Sequence, residues 1–309
     1  MLNATTANSA SRQFLSMFSQ GFGLTSSVLR AVVLGLTMSA EGPNSPVTRM
    51  ARKRDLWWQF TVRAVESRYK GSYFGMLWSV INPLLMLSIF FVVFGLFFGG
   101  HFRDPSVESL KDYAMAMFLG LTLFQLLAET LGASPLLITA NVNLVKKVVF
   151  PLDILPLAQS GGLWFNLVIG LVLALGGWVL VGEKLTWVGL VWLPVILLPL
   201  LMFSAGLAWL LAALGVFFRD LVQAMSFVGQ VIMYSSDVFY PVSRLSPGFW
   251  SILKWNPFLR TVVLAREVVL WNYPVNLRAL AYTYAVGFTV LVAGRWVFQK
   301  LRPAFADVV

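Results

Sequence analysis

Between Arg49 and Gly100 the pattern of apolar and polar positions changes its period without a break in the chain. The stretch RMARKRDLWWQFTVRAVESRYKGSYFG sets Leu56, Trp57, Phe60, Ala64 and Val65 at helical spacing, with Asp55, Gln59, Arg63 and Glu66 on the other face. This predicts an amphipathic helix over 54–70 lying in the headgroup plane of a membrane. The run MLWSVINPLLMLSIFFVVFGLFFGG follows directly and predicts a span at about 77–98. A soluble amphipathic helix packed on a core is the rival reading, and an apolar run long enough to cross a bilayer weighs against it.

Further apolar runs predict spans at about 113–138, 154–181, 188–216, 221–240 and 280–298, parted by HFRDPSVESLKD, TANVNLVKKVVFPLD, GEKLTW and FFRD. Between Pro241 and Pro274 two short helical stretches hinge at Asn256 and Pro257. Each is too short to cross, and Arg260, Arg266 and Glu267 would be costly in lipid, so a re-entrant or interfacial hairpin is expected over 246–272. The expected fold is an all-α integral membrane protein. It has six transmembrane helices per protomer, an N-terminal amphipathic interface helix, and a re-entrant extracytoplasmic helical hairpin between spans five and six. Residues 1–48 lack the basic start and clean apolar run of a signal peptide and read as a cytoplasmic extension. Residues 49–302 form the transmembrane domain, and 303–309 a cytoplasmic tail.

Composition narrows the class. With 58% hydrophobic and 12% charged residues and a mean hydropathy of +0.78, the 309-residue chain is too apolar to hide its surface in one soluble core. A net charge of +10 raises nucleic acid as a partner, but the 23 Lys and Arg residues sit at the ends of apolar spans rather than along one polar face. Six spans place both termini on one side. Fifteen of the 23 basic residues fall on that side, so both termini are expected in the cytoplasm and the protein in the cytoplasmic (inner) membrane. The absence of Cys excludes thiolate ligands and thiol nucleophiles, and one His excludes an imidazole cluster. GGWVLVGEK has the wrong spacing for a phosphate-cradling loop, so any ATP must be hydrolysed by another polypeptide. No internal repeat supports an inverted-repeat secondary transporter.

Four sets of side chains carry candidate chemistry. Asp104 and Glu108 could serve a membrane glycosyltransferase acting on polyprenol-linked sugars, although acids in a short polar loop are more simply solvated. Glu129 is the one candidate for ion coupling in mid-membrane, where an ion pair with Arg295 outweighs a proton relay. Gln125, Asn166 and Gln230 read as interhelical hydrogen bonders. Finally, Phe227, Gln230, Tyr234 and Asp237 share one helical face, and Trp78, Asn82, Leu85 and Ile89 share another. Aromatic faces beside amides suit sugar rings, while periodicity alone favours ordinary packing.

Read together, RYKGSYFGMLWSVINPLLML, NVNLVKKVVFPLDILP, FFRD, VFYPVS, and WNPF with AREVVL resemble the permease subunits of ABC type-2 exporters. The resemblance is to the polysaccharide branch, which exports O-antigen, teichoic-acid or capsule chains, and it covers about residues 50–302. Asp237 departs from the family pattern, which often has Pro in an SP-V-x-Y-P run. The resemblance implies a homodimeric pore driven by two copies of a cytoplasmic ATP-binding-cassette ATPase, which would hold the ATP and Mg; no cofactor is expected on this chain. It implies ATPase coupling through Asp55, Arg63, Glu66, Asn143, Lys146, Lys147, Asp153, Phe217, Arg219 and Asp220. Trp78, Asn82, Phe227, Gln230, Tyr234, Phe239 and Tyr240 would line a glycan channel. Trp250, Trp255, Asn256, Pro257 and Arg266 would belong to an extracytoplasmic gate. The implied cargo is a polyprenyl-pyrophosphate-linked polysaccharide, with Arg52, Arg54, Arg68 and Lys70 as pyrophosphate contacts or, equally, anchors to anionic lipid. An ABC type-2 exporter of a drug or lipid is the nearer alternative, and the glycosyltransferase the more distant one.

Overall fold

The computed structural model describes residues 46–146, 150–182, 185–241 and 246–308. The chain divides into two units, residues 1–55 and 56–309; of the first, the helix beginning at Pro46 is described. Of Arg52 the backbone alone is described, and Lys147 lies outside the described residues.

Every described regular element is helical. Helix α1 (Pro46–Tyr69) leads through a turn to α2 (Trp78–Phe90), which continues as a π-helical segment to Phe97. Helices α3 (Leu110–Ala133), α4 (Ile154–Leu180), α5 (Trp187–Phe217) and α6 (Leu221–Tyr234) follow. Two short helices, α7 (Pro247–Leu253) and α8 (Pro257–Ala265), precede α9 (Leu277–Leu301). Polar side chains set the starts. Ser109 and Asp112 form a reciprocal capping box at α3, and Thr186, Asn256 and Asn276 accept backbone N–H bonds at the starts of α5, α8 and α9.

Among the described residues, five helical stretches are long and apolar enough to cross a membrane: Gly75–Phe97, Leu110–Leu136, Ile154–Leu180, Trp187–Phe217 and Leu277–Val308. Within the stretch expected as a fifth span, 221–240, the described helix has 14 residues and ends at Tyr234. At ~1.5 Å per residue it reaches about 21 Å, short of the ~30 Å hydrocarbon core. It stops because Ser235, Ser236 and Asp237 follow, and Asp237 takes a left-handed backbone (φ 56°) that no α-helix continues through.

Helix α3 is the centre of the larger core, with Tyr113, Met117, Leu119, Leu123 and Leu127 all fully buried. A second cluster joins Ile138, Leu155, Trp209, Phe298 and Phe305 at the other end of the bundle. The tightest crossing is α5 on α9, where Gly206, Gly287 and Gly294 bring backbone against backbone. The span Gly75–Phe97, by contrast, is almost entirely unburied, and Leu84, Leu85, Met86, Ile89 and Val92 all lie exposed.

Candidate functional site

The polar chemistry gathers at the two ends of the bundle. At one end, the second half of α1 is bolted to the starts and ends of neighbouring helices. Trp57 Nε1 donates to the Leu157 carbonyl (3.1 Å), and Gly161 lets Thr61 approach so closely that a Cβ there would meet Thr61 Oγ1 at 2.8 Å. Phe60 packs on Phe150 at 5.2 Å, and Ala64 and Val65 sit over Gly162. The apolar face predicted for lipid is therefore largely turned onto α4, while Trp58 stays exposed.

The last turn of α1 carries the strongest polar contact of this joint. Arg68 Nη1 donates to Glu129 Oε2 (2.7 Å), and Gln125 Nε2 fixes the other carboxylate oxygen (2.7 Å). Beside them Tyr69 donates its hydroxyl proton to Asn166 Oδ1 (3.0 Å), and burial pushes the Tyr69 hydroxyl above its ordinary pKa. Glu129 is thus the structural ion-pair partner that its position implied, but of Arg68 rather than Arg295. Arg295 instead lies over the Trp209 ring at 5.8 Å. Sequence spacing could not reveal this pairing, because residues 68 and 129 meet only once α1 lies against α3.

A cavity of about 540 Å³ opens beside the joint, lined by Arg63, Arg68, Leu137, Asn141, Gln159 and Asn166 among others. Gln159 Oε1 is buried there without a hydrogen-bond partner among the described residues, a feature the sequence did not flag. Of the remaining basic residues Arg54 and Lys70 are exposed, as are Asp55, Arg63 and Glu66. Asn143 and Lys146 lie exposed at a short helical turn, and Arg219 and Asp220 form the exposed link from α5 to α6. Phe217 is at the end of α5, 6.3 Å from the Phe305 ring, and the Asp153 carbonyl accepts from Trp209 Nε1 (3.1 Å).

At the other end, Asn256 ends the α7–α8 hinge and caps α8, with Pro257 at the first helical position, where its missing N–H costs nothing. Trp250 lies beneath the Arg260 guanidinium, and Trp255 lies exposed against Tyr282. Arg266 is fully buried. Phe227, Gln230 and Tyr234 lie exposed along α6, and Asn82 on α2, with Trp78 half-buried. Tyr240 donates to the Tyr234 carbonyl, but Phe239 is buried, 4.5 Å from the Phe94 ring, and lines no open face among the described residues.

The two loop acids have local duties. Asp104 accepts from the Ser106 backbone N–H (2.9 Å) and hydroxyl (2.7 Å), and these bonds, the backbone one foremost, hold its carboxyl below the usual range. Glu108 accepts from the N–H groups of Phe102 (2.6 Å) and Arg103 (2.9 Å). A general acid needs a raised pKa and a free proton. Asp104 is held in the opposite state.

These features define a multi-pass helical membrane protein. The ABC-2 type transporter family model matches residues 55–270, more than half of the chain, and the chain belongs to this family. It is similar to the O-antigen export system permease protein RfbA of Klebsiella pneumoniae, 28% identical over 257 residues that cover 82% of this chain and 95% of that protein. RfbA of Myxococcus xanthus is 26% identical over 84% of this chain and 98% of its own length. The polysialic acid transport protein KpsM of Escherichia coli is 23% identical over 69% of this chain and 80% of its own. Membership makes the chain a transporter component rather than an enzyme, in keeping with the local duties of Asp104 and Glu108.

Proposed function

We propose that this chain is the permease subunit of an ATP-driven exporter that carries a lipid-linked polysaccharide across the cytoplasmic membrane, with ATP and Mg bound by a separate ATPase. The observation that carries the reading is the near full-length similarity to permeases named for O-antigen export, joined by one named for polysialic acid transport. The drug or lipid alternative has no such support.

In this reading two copies assemble around a path. The unburied face of α2 and the open face of α6 with Phe227, Gln230 and Tyr234 support that assembly, because apolar area of this extent in one protomer needs lipid or a partner. Trp78 and Asn82 on α2 and Tyr240 after α6 would offer further aromatic and amide groups to sugar rings. Six spans, with α6 and the residues after it as the fifth, put both termini in the cytoplasm under the positive-inside rule. The pair α7–α8 is then the re-entrant outer hairpin, with Trp250, Trp255, Asn256, Pro257 and Arg266 in the gate. On the cytoplasmic side Asp55, Arg63, Glu66, Asn143, Lys146, Lys147, Asp153, Phe217, Arg219 and Asp220 take up force from the ATPase. Arg52, Arg54, Arg68 and Lys70 meet anionic lipid or the pyrophosphate of the cargo. For Arg68 the cavity it lines together with Arg63 supports this placement, with apolar side chains and the amides Asn141, Gln159 and Asn166 completing its wall.

The test is reconstitution. Vesicles holding this chain with its partner ATPase should move polyprenyl-pyrophosphate-linked glycan only when ATP is supplied, and vesicles holding the chain alone should move none. Glycan crossing without ATPase or nucleotide would end the reading. In the same vesicles Asp104→Asn, whose side-chain hydrogen bonds are confined to Ser106 of its own loop, should export within about twofold of wild type. Sugar transfer by the chain alone, abolished by Asp104→Asn, would revive the glycosyltransferase.

A further inference from the structure

Four consecutive residues after α6 are each gripped by a side chain from elsewhere in the fold. Ser236 Oγ accepts from Asn256 Nδ2 (2.8 Å). The Asp237 carbonyl and its carboxylate Oδ2 (3.0 Å) both accept from Arg266 Nη1, and the Val238 carbonyl accepts from Arg266 Nη2 (3.0 Å). The Phe239 carbonyl accepts from the Tyr113 hydroxyl (2.6 Å). Ser236, Val238 and Phe239 are all buried. Irregular backbone with no access to water must find such partners or forfeit its hydrogen bonds.

Arg266 is the centre of this arrangement. Its Nε donates to the Ala116 carbonyl on α3 (2.8 Å), so four donor interactions leave one guanidinium for two separate segments. Its planar face lies 3.8 Å from the centroid of Phe102, whose own N–H is fixed by Glu108. Arg266 also opens a π-helical turn, closed by Trp271 N–H to the Arg266 carbonyl (3.1 Å). Such turns are rare and occur often at functional sites. Asp237 supplies the matching irregularity, a left-handed backbone that a residue with a Cβ adopts only when its surroundings hold it.

We propose that Arg266, Asn256 and Tyr113 are positioning residues that make 236–239 a rigid strap, so that the α7–α8 hairpin, the aromatic end of α6 and the start of α3 move as one body. The strap is continuous with Tyr234 and ends at Tyr240, whose hydroxyl returns to the Tyr234 carbonyl. Any displacement of the hairpin is therefore imposed on this aromatic pair. This rests on the reading of α7–α8 as gate and α6 as channel wall, and it adds that the gate cannot open without re-aiming the wall.

The chain contains no Cys, so Ser236→Cys with Asn256→Cys places the sole thiols where two side chains already touch. In vesicles with the ATPase and lipid-linked glycan, the oxidised, cross-linked variant should export within about twofold of its own reduced form, because a bond inside one rigid body restrains nothing. Where direct oxidation does not close the pair, a short, reducible bis-methanethiosulfonate bridges it. Export lost on cross-linking and regained with dithiothreitol would overturn the proposal. Arg266→Lys keeps the charge but not the fork, and maximal export should fall about tenfold while ATP hydrolysis by the complex persists. Unchanged export would count equally against the strap. If that variant fails to assemble, Tyr113→Phe, which removes a single hydrogen bond, should lower export about threefold, and unchanged export from it would overturn the proposal. Wild-type complex in the same vesicles separates the two claims: no export from it counts against the function, and export lost only on cross-linking counts against the strap.

Discussion

Arg68→Glu should abolish export while the ATPase continues to hydrolyse ATP, and Arg68→Glu combined with Glu129→Arg should recover much of it. The substitution puts a second carboxylate where a guanidinium now lies 2.7 Å from Glu129. Like charges so placed cost several kcal/mol when desolvated. Here Arg68 is 35% exposed and Glu129 19%, so solvent screening limits the penalty to about 2–3 kcal/mol. That is enough to detach the last turn of α1 from α3 without unfolding the bundle, because Trp57 and Thr61 still hold the preceding turns to α4. A stroke delivered to α1 would then be lost at a slack joint. The measurement is glycan exported per ATP hydrolysed, which should fall at least tenfold in the single variant and return in the charge swap. Equal loss in both would make the pair incidental to coupling.

That joint also shows where sequence reading reaches its limit. The apolar runs at 113–138, 154–181 and 188–216 coincide to within three residues at each end with the helical stretches Leu110–Leu136, Ile154–Leu180 and Trp187–Phe217, because charged or turn-forming residues bound each run. The sequence shows Ser235, Ser236 and Asp237 side by side, but not where they end the helix. Hydropathy continues to Tyr240, whereas the helix stops at Tyr234 once Asp237 turns left-handed. Arg266 was legible as too costly for lipid, yet its remedy was hidden: of its acceptors three are backbone carbonyls, which no side-chain pattern encodes. Glu129 was singled out by its depth in an apolar run. Its partner came from a helix 61 residues earlier, and only the packing of α1 on α3 selects Arg68. The amphipathic face of α1 is legible as a face, but periodicity cannot say whether lipid or protein covers it, and Gly161 and Gly162 decide in favour of protein.

The largest loss of stability is expected at the crossing of α5 and α9, from Gly294→Leu or Gly206→Leu. A Cβ on Gly206 would lie 2.5 Å from the Val290 carbonyl carbon, one on Gly287 would lie 2.5 Å from the Pro199 carbonyl oxygen, and one on Gly294 would overlap the Gly206 carbonyl. In each case the obstacle is backbone, so no side chain can rotate away and the helices must part. Parting them exposes no new apolar surface to water within a bilayer, so the loss falls on close packing, the main force between helices in lipid. Overpacking of this kind costs about 3 kcal/mol or more when backbones must separate. Gly176, also inside a helix, has nothing within 4 Å of its Cβ position. Gly176→Ala should therefore be neutral or stabilising by up to about 1 kcal/mol through helix propensity alone. Unfolding in detergent, followed by far-ultraviolet circular dichroism, should separate the two classes clearly. If Gly294→Leu unfolds alongside wild type, α5 and α9 are not held by backbone contact, and the fixed frame against which the α1 joint and the outer strap would move must be sought elsewhere in the bundle.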